Sequence, residues 1–131
     1  MLRTVSLPIA VTLAGTALAG CAGSGAGGDV EAVASAFSEA IRDGDGGGAC
    51  ARLVPKAQSS VESGGSSCAQ QILELGLTGG AVRDPEVWGQ WARVHIGGDT
   101  AFLTQWAQTW RIAAAGCRPR RERPYDCELE A

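Results

Sequence analysis

The sequence predicts an α+β domain with its helices gathered on one face of an antiparallel sheet. Apolar residues recur at helical spacing between positions 30 and 75. They alternate with polar residues between 91 and 114. Turn signals separate the alternating stretches, and helices come first with strands after. That order places the helices together on the sheet instead of weaving them between strands.

The chain has 131 residues, and the first twenty stand apart from the rest. Arg3 and the amino terminus are positive, Val5 to Leu18 is mostly apolar and uncharged, and small residues follow. This is the layout of an export signal. The apolar stretch falls short of the roughly 20 residues a membrane span needs, and Pro8 and Gly15 interrupt it. Leu18-Ala19-Gly20-Cys21 closes it. That tetrad resembles the lipobox of bacterial lipoproteins, which implies cleavage between Gly20 and Cys21 and diacylation (palmitate-type chains) of the Cys21 thiol. Two acyl chains, at about 0.8 kcal/mol per buried methylene, hold a protein stably where one is marginal. The expected division is therefore 1–20 signal peptide, 21–28 lipidated cysteine and flexible tether, and 29–131 folded domain. The expected location is the outer side of the cell membrane, held by lipid.

Ala22 to Gly28 is small, uncharged and glycine-rich, as a tether should be. Asp29 is then a candidate N-cap. Val30, Val33, Ala34, Phe37, Ala40 and Ile41 make one apolar stripe, and Gly44 stops the helix. Asp43 to Gly48 reads as a turn, Ala49 to Leu53 as a short helix ended before Pro55, and Ser59 to Ser67 as loop. Ser66 or Ser67 caps a further helix carrying Ala69, Ile72, Leu73 and Leu75, which ends near Gly76.

The period changes after Gly79-Gly80. Val82 to Trp88 is a candidate first strand. Trp91, Arg93 and His95 alternate with Ala92, Val94 and Ile96, and Gly97-Gly98-Asp99 is a hairpin signal. Ala101 and Leu103 alternate with Phe102, Thr104 and Trp106. A turn near Gln108 leads to Trp110, Ile112 and Ala114 against Arg111 and Ala113. Tyr125 to Leu129 is a candidate last strand.

Five cysteines are present. With Cys21 assigned to lipid, an even set remains in an exported chain, which reads as disulfides. Three connectivities are open. The local pairs Cys50–Cys68 and Cys117–Cys127 are favoured, because each brackets a Gly- or Pro-rich stretch. Zinc is disfavoured by the absence of a C-x2-C knuckle and of any second histidine near His95.

The net charge is −3, and loss of Arg3 with the leader makes the mature chain slightly more acidic. Such a surface is a poor partner for nucleic acid. Asp43-Gly44-Asp45 suggests a calcium loop, but its fifth and twelfth positions are Gly47 and Val54, not oxygen ligands. His95 is the single histidine and falls on an outer strand face, so no catalytic residue and no cofactor are assigned. Trp91, Leu103, Trp106 and Trp110 are the candidate cavity-lining residues. Arg118, Arg120, Arg121 and Arg123 form a basic knot, with Asp126, Glu128 and Glu130 beside it.

Asp43-Gly44-Asp45 followed by Leu53-Val54-Pro55 resembles the opening of NTF2-like (SnoaL-like, cystatin-like) domains. Gly98 to Leu103, Trp110 to Cys117 and Arg123 to Cys127 are similar to stretches of small actinobacterial lipoproteins. Here Gln108-Thr109 precedes Trp110, where such strands usually place a glycine. The resemblance implies helices inside a curved antiparallel sheet around a conical cavity. Some members of that fold are isomerases, dehydratases or cyclases. The expected function is a non-enzymatic accessory domain that binds a small apolar ligand or an envelope protein. A lyase- or isomerase-type cavity enzyme is the alternative.

Overall fold

The computed structural model describes residues 25–122 and 124–131. The export signal, the Gly20/Cys21 cleavage and lipidation site, most of the tether, and Arg123 lie outside the described residues. Among the described residues, four α-helices and a 3-10 turn precede five strands, giving a general α+β architecture. Among the described residues no helix is long and apolar enough to cross a membrane.

Helix α1 (Ala26–Arg42) buries Val30, Ala34, Phe37 and Ala40 of the stripe read from its spacing, with Val33 and Ile41 partly buried. It begins earlier than expected. Gly25 occupies the N-cap position with no side-chain bond, and Asp29 sits in the first turn, where its charge complements the helix dipole. Ala26 to Gly28 therefore belong to the helix and not to the tether. Asp43 caps the other end, and Gly44 takes the left-handed conformation that ends it.

Helix α2 (Gly46–Cys50) corrects two readings. The glycines expected in a turn are helical, and Cys50 closes the helix instead of standing near its start. The Asp45 carboxylate accepts the Gly48 N–H at 2.9 Å, and that cap offsets the poor helix propensity of three glycines. Glycine is needed at position 46 for a second reason. A Cβ there would lie 1.8 Å from the Ala69 carbonyl oxygen.

Helix α3 (Pro55–Glu62) takes in the first four residues of the expected loop. Pro55 occupies the first turn, where its missing N–H costs nothing. Ala57 and Val61, four residues apart, are its buried side. Such a sparse stripe among serines and glutamines gives little periodic signal. Helix α4 (Cys68–Gln71) starts at Ser67 as expected and passes into the 3-10 turn Ile72–Glu74. Cys50 and Cys68 are bonded and mostly buried, joining α2 to α4.

Strands β1 (Val82–Trp88), β2 (Trp91–Ile96), β3 (Asp99–Trp106), β4 (Thr109–Arg118) and β5 (Asp126–Glu130) pair in sequence order as an antiparallel sheet that is not closed. Two-residue turns join β1 to β2, β2 to β3 and β3 to β4. Gly89 and Gly97 supply positive φ in the first two. The third places Ala107 (φ 48) and Gln108 (φ 66) in left-handed backbone, a conformation that L-residues resist.

The helices cover one face of this sheet. Ala92, Val94, Leu103 and Ile112 point into a core shared with Val30, Phe37, Leu53 and Ile72. Each fully buried aliphatic side chain there contributes roughly 1.5–3 kcal/mol. Leu53 also adds a short parallel bridge beside Ile112, with Val54 N–H donating to the Ile112 carbonyl at 2.9 Å. That segment continues the sheet edge where β5 ends. Buried Ser38 ties α1 to the entry of β1, its hydroxyl donating to the Gly80 carbonyl and accepting the Gly80 N–H, both at 2.8 Å.

The alternation read for β4 breaks at Ala113. Leu103 pairs with Ile112, but Phe102 pairs with Ala114, so one extra residue enters β4. A second irregularity separates that pair from Thr100↔Cys117. As a result Ala113 and Ala115 join the core, while Ala114 stands beside Phe102.

Candidate functional site on the outer sheet face

The sheet face turned away from the helices carries the side chains that the core does not use. Trp91 and Phe102 point there, because their neighbours Ala92, Ala101 and Leu103 point into the core. Pairing brings Arg93 opposite Phe102, and Phe102 opposite Ala114. The segment before β5 then folds over this row. Tyr125 meets Phe102 edge-on, with ring centroids 4.9 Å apart and planes at 75°.

Two covalent and polar ties hold that segment in place. Cys117 and Cys127 are bonded across directly opposed positions of β4 and β5. The Arg93 guanidinium donates to the Tyr125 hydroxyl at 3.4 Å and, on its other side, to the Glu86 carboxylate. The bond to Tyr125 and then the Glu86 carboxylate raise the Arg93 pKa above its ordinary value. A raised value means the cation, and whatever stability it lends, persists until strongly alkaline pH. Arg93 therefore stays charged throughout the neutral range.

Together these residues form an open cavity of about 360 Å³. Trp91, Phe102, Ala114, Pro124, Tyr125 and Cys127 make its walls. Exposed Glu130 is the one carboxylate side chain lining it among the described residues. Its volume lies at the lower end of the range for small-ligand sites. Flat rings lining an open wall suit an apolar or aromatic group, and Arg93 offers a fixed cation near the edge.

The four candidate lining residues are not brought together. Trp91 alone lines this cavity. Leu103 is fully buried in the core, because it occupies the helix-facing parity of β3. Trp110 is also in the core, with one edge in a shallow groove beside Asp29 and Val33 of α1. Trp106 stands half exposed near the end of β3. Sequence reasoning missed Phe102, Ala114 and Tyr125. Phe102 was recoverable, since it shares the parity of Trp91. Ala114 was hidden by the bulge, and Tyr125 reaches the site only through the Cys117–Cys127 closure.

His95 lies on this outer face, half buried, with Nδ1 3.3 Å from the Thr100 hydroxyl. Among the described residues no group of three or more His, Cys, Asp or Glu is placed to hold a metal. Asp45 caps α2, its carboxylate accepting the Gly48 N–H. The basic knot is partly paired: Arg118 with Asp99 at 3.2 Å and Arg120 with Asp126 at 2.5 Å. The chain matches no family model, no curated protein and no solved structure.

Proposed function

We propose that this chain is a lipid-anchored envelope protein whose domain binds a small apolar or aromatic ligand, or an apolar side chain of an envelope protein, on the outer face of its sheet. The observation that carries the binding reading is the aromatic cavity of Trp91, Phe102 and Tyr125. Its walls offer contact surface and ring faces, with Arg93 already satisfied by Glu86 and Tyr125. A site of this make-up favours recognition, because most of its wall is ring face and its lining carboxylate, Glu130, is exposed to water. The anchoring reading rests on Leu18 to Cys21 and on the two disulfides, which belong to an oxidising compartment outside the cytoplasm. An NTF2-like relationship fits the helices-on-sheet layering. In this chain, however, the helix-facing side of the sheet is filled by side chains, and the proposed site lies on the opposite side.

The binding reading is tested with N-phenyl-1-naphthylamine, an apolar fluorophore, titrated into the oxidised protein. The wild type should enhance its emission, and Tyr125→Ala should weaken that binding by about tenfold or more, the loss of one well-packed aromatic contact. Equal titrations for the two proteins would remove the cavity from consideration. The anchor is tested separately by the mass of the native N-terminus, which should be a diacylglyceryl Cys21.

A further inference from the structure

Three tryptophans are left about half exposed: Trp88 (49%), Trp91 (48%) and Trp106 (51%). They fall at one end of the sheet and on one face of it. Trp88 pairs with Trp91 on either side of the Gly89-Gln90 turn. Trp91 pairs with Thr104, and Trp106 follows Thr104 by two residues on the same side, just before the Ala107-Gln108 turn. Large exposed indoles are costly to leave in water, and three on one edge need an occupant.

The start of α1 lies at this same end. Asp29, Ala32 and Val33 share a groove with Gln108, Thr109 and Trp110. The other end of α1 lies at the opposite pole, where Ser38 bonds Gly80 and the backbone of Gly97 accepts no more than a glycine's approach. The chain therefore leaves the domain toward Cys21 from the pole of the tryptophans. The first residue of α1 is five positions beyond Cys21. Fully extended, those five steps span about 17 Å at most. A lipid on Cys21 would thus bring this pole, and no other, against the bilayer.

We propose that the tip formed by Trp88, Trp91 and Trp106 rests in the headgroup layer of the membrane that holds Cys21. This rests on the lipid-anchor reading above. Indole suits that layer, because its ring is apolar and its N–H keeps a polar partner. The tip gives the domain a fixed orientation, with the two hairpin turns against the lipid. The basic knot lies at the far pole, a strand length from the tip: β4 runs its ten residues between them, about 30 Å. Near the tip, α1 instead presents Asp29 and Glu31. The contact is therefore apolar, and anionic lipid should not strengthen it. A surface bound through Arg118, Arg120 and Arg121 would show the reverse, with tighter binding to anionic vesicles and loss in salt.

The test uses the native lipidated chain in phosphatidylcholine vesicles, with tryptophan emission as the readout. Iodide quenching should fall by roughly threefold or more on vesicle insertion, because the three exposed indoles leave water and Trp110 is already buried. Phosphatidylcholine spin-labelled near the headgroup should quench more than lipid labelled at the chain end. Trp88→Phe with Trp106→Phe should remove most of that shallow quenching. The result should be the same with a fifth of the lipid anionic and in high salt. Unchanged iodide access on a chain whose mass shows the lipid would overturn the proposal while leaving the anchor intact. Protection that appears only in whole envelopes, and not on pure lipid, would also overturn it in favour of a protein partner. An unlipidated chain whose tryptophans still meet shallow label would support the tip and remove the anchor.

Discussion

The two faces of the sheet are made from alternate residues of the same strands, yet they answer to different demands. The helix-facing side is closed: Ala92, Val94, Leu103 and Ile112 are fully buried against α1 and the short helices. The outer side is left open, with Trp91 and Phe102 forming a wall and three indoles half in water. A domain this small has little apolar surface to spare. It nevertheless leaves three of its four tryptophans outside the core, which is filled by Trp110, Phe37 and smaller aliphatic side chains. Stability comes from the inner face and the disulfides. The outer face is free to carry recognition.

Substitutions separate these roles, and the largest effect belongs to the inner face. Ile112→Ala removes a fully buried side chain next to the Leu53 bridge and should cost about 4 kcal/mol, read from urea unfolding. A cost under about 1 kcal/mol would mean that the two faces are not packed differently. Replacing Cys117 and Cys127 with serine should cost about 3 kcal/mol, because an unfolded-state constraint is lost. That variant has a second signature: freed of the bridge, Pro124 and Tyr125 no longer close the cavity, and fluorophore binding should fall as well. The equivalent change at Cys50 and Cys68 should lower stability and leave binding at the folded protein unchanged, since that bridge joins α2 to α4 behind the core. Binding loss in both variants would erase the distinction between the faces.

Smaller effects sharpen the same contrast. Ser38→Ala leaves the Gly80 N–H and carbonyl without their buried partner and should cost about 2 kcal/mol, with no change in binding. Gln108→Gly relieves one left-handed residue in the β3–β4 turn and should raise stability by about 1 kcal/mol in thermal unfolding.

Periodicity made α1 and the strands legible, because both bury a regular side. Of the α1 stripe, Val30, Ala34, Phe37 and Ala40 are buried and Val33 and Ile41 partly so, and the alternation of β2 matches its buried residues. Helix α3 escaped because its buried side is only Ala57 and Val61 in a polar stretch. The glycines of α2 looked like a turn because their helicity depends on the Asp45 cap and on the tight approach of Ala69, which is a tertiary fact. The site was legible only in part. Trp91 could be placed by parity, but a bulge in β4 and a disulfide ten residues long decide that Ala114 and Tyr125 join it. Tryptophan size suggested a shared cavity for Trp91, Trp106 and Trp110. The odd–even relation of Trp110 to Trp91 across the paired strands sends Trp110 into the core instead.

The division between the faces is tested most directly at two adjacent residues of β3, Phe102 and Leu103, which point to opposite sides. Thermal midpoint and N-phenyl-1-naphthylamine affinity are measured for Phe102→Ala and Leu103→Ala in the oxidised protein. Phe102→Ala should lose about tenfold or more in affinity with a small shift in midpoint, and Leu103→Ala should lose about 3–4 kcal/mol of stability while the folded fraction keeps its affinity. Affinity retained in Phe102→Ala, or lost equally in both, would contradict the account.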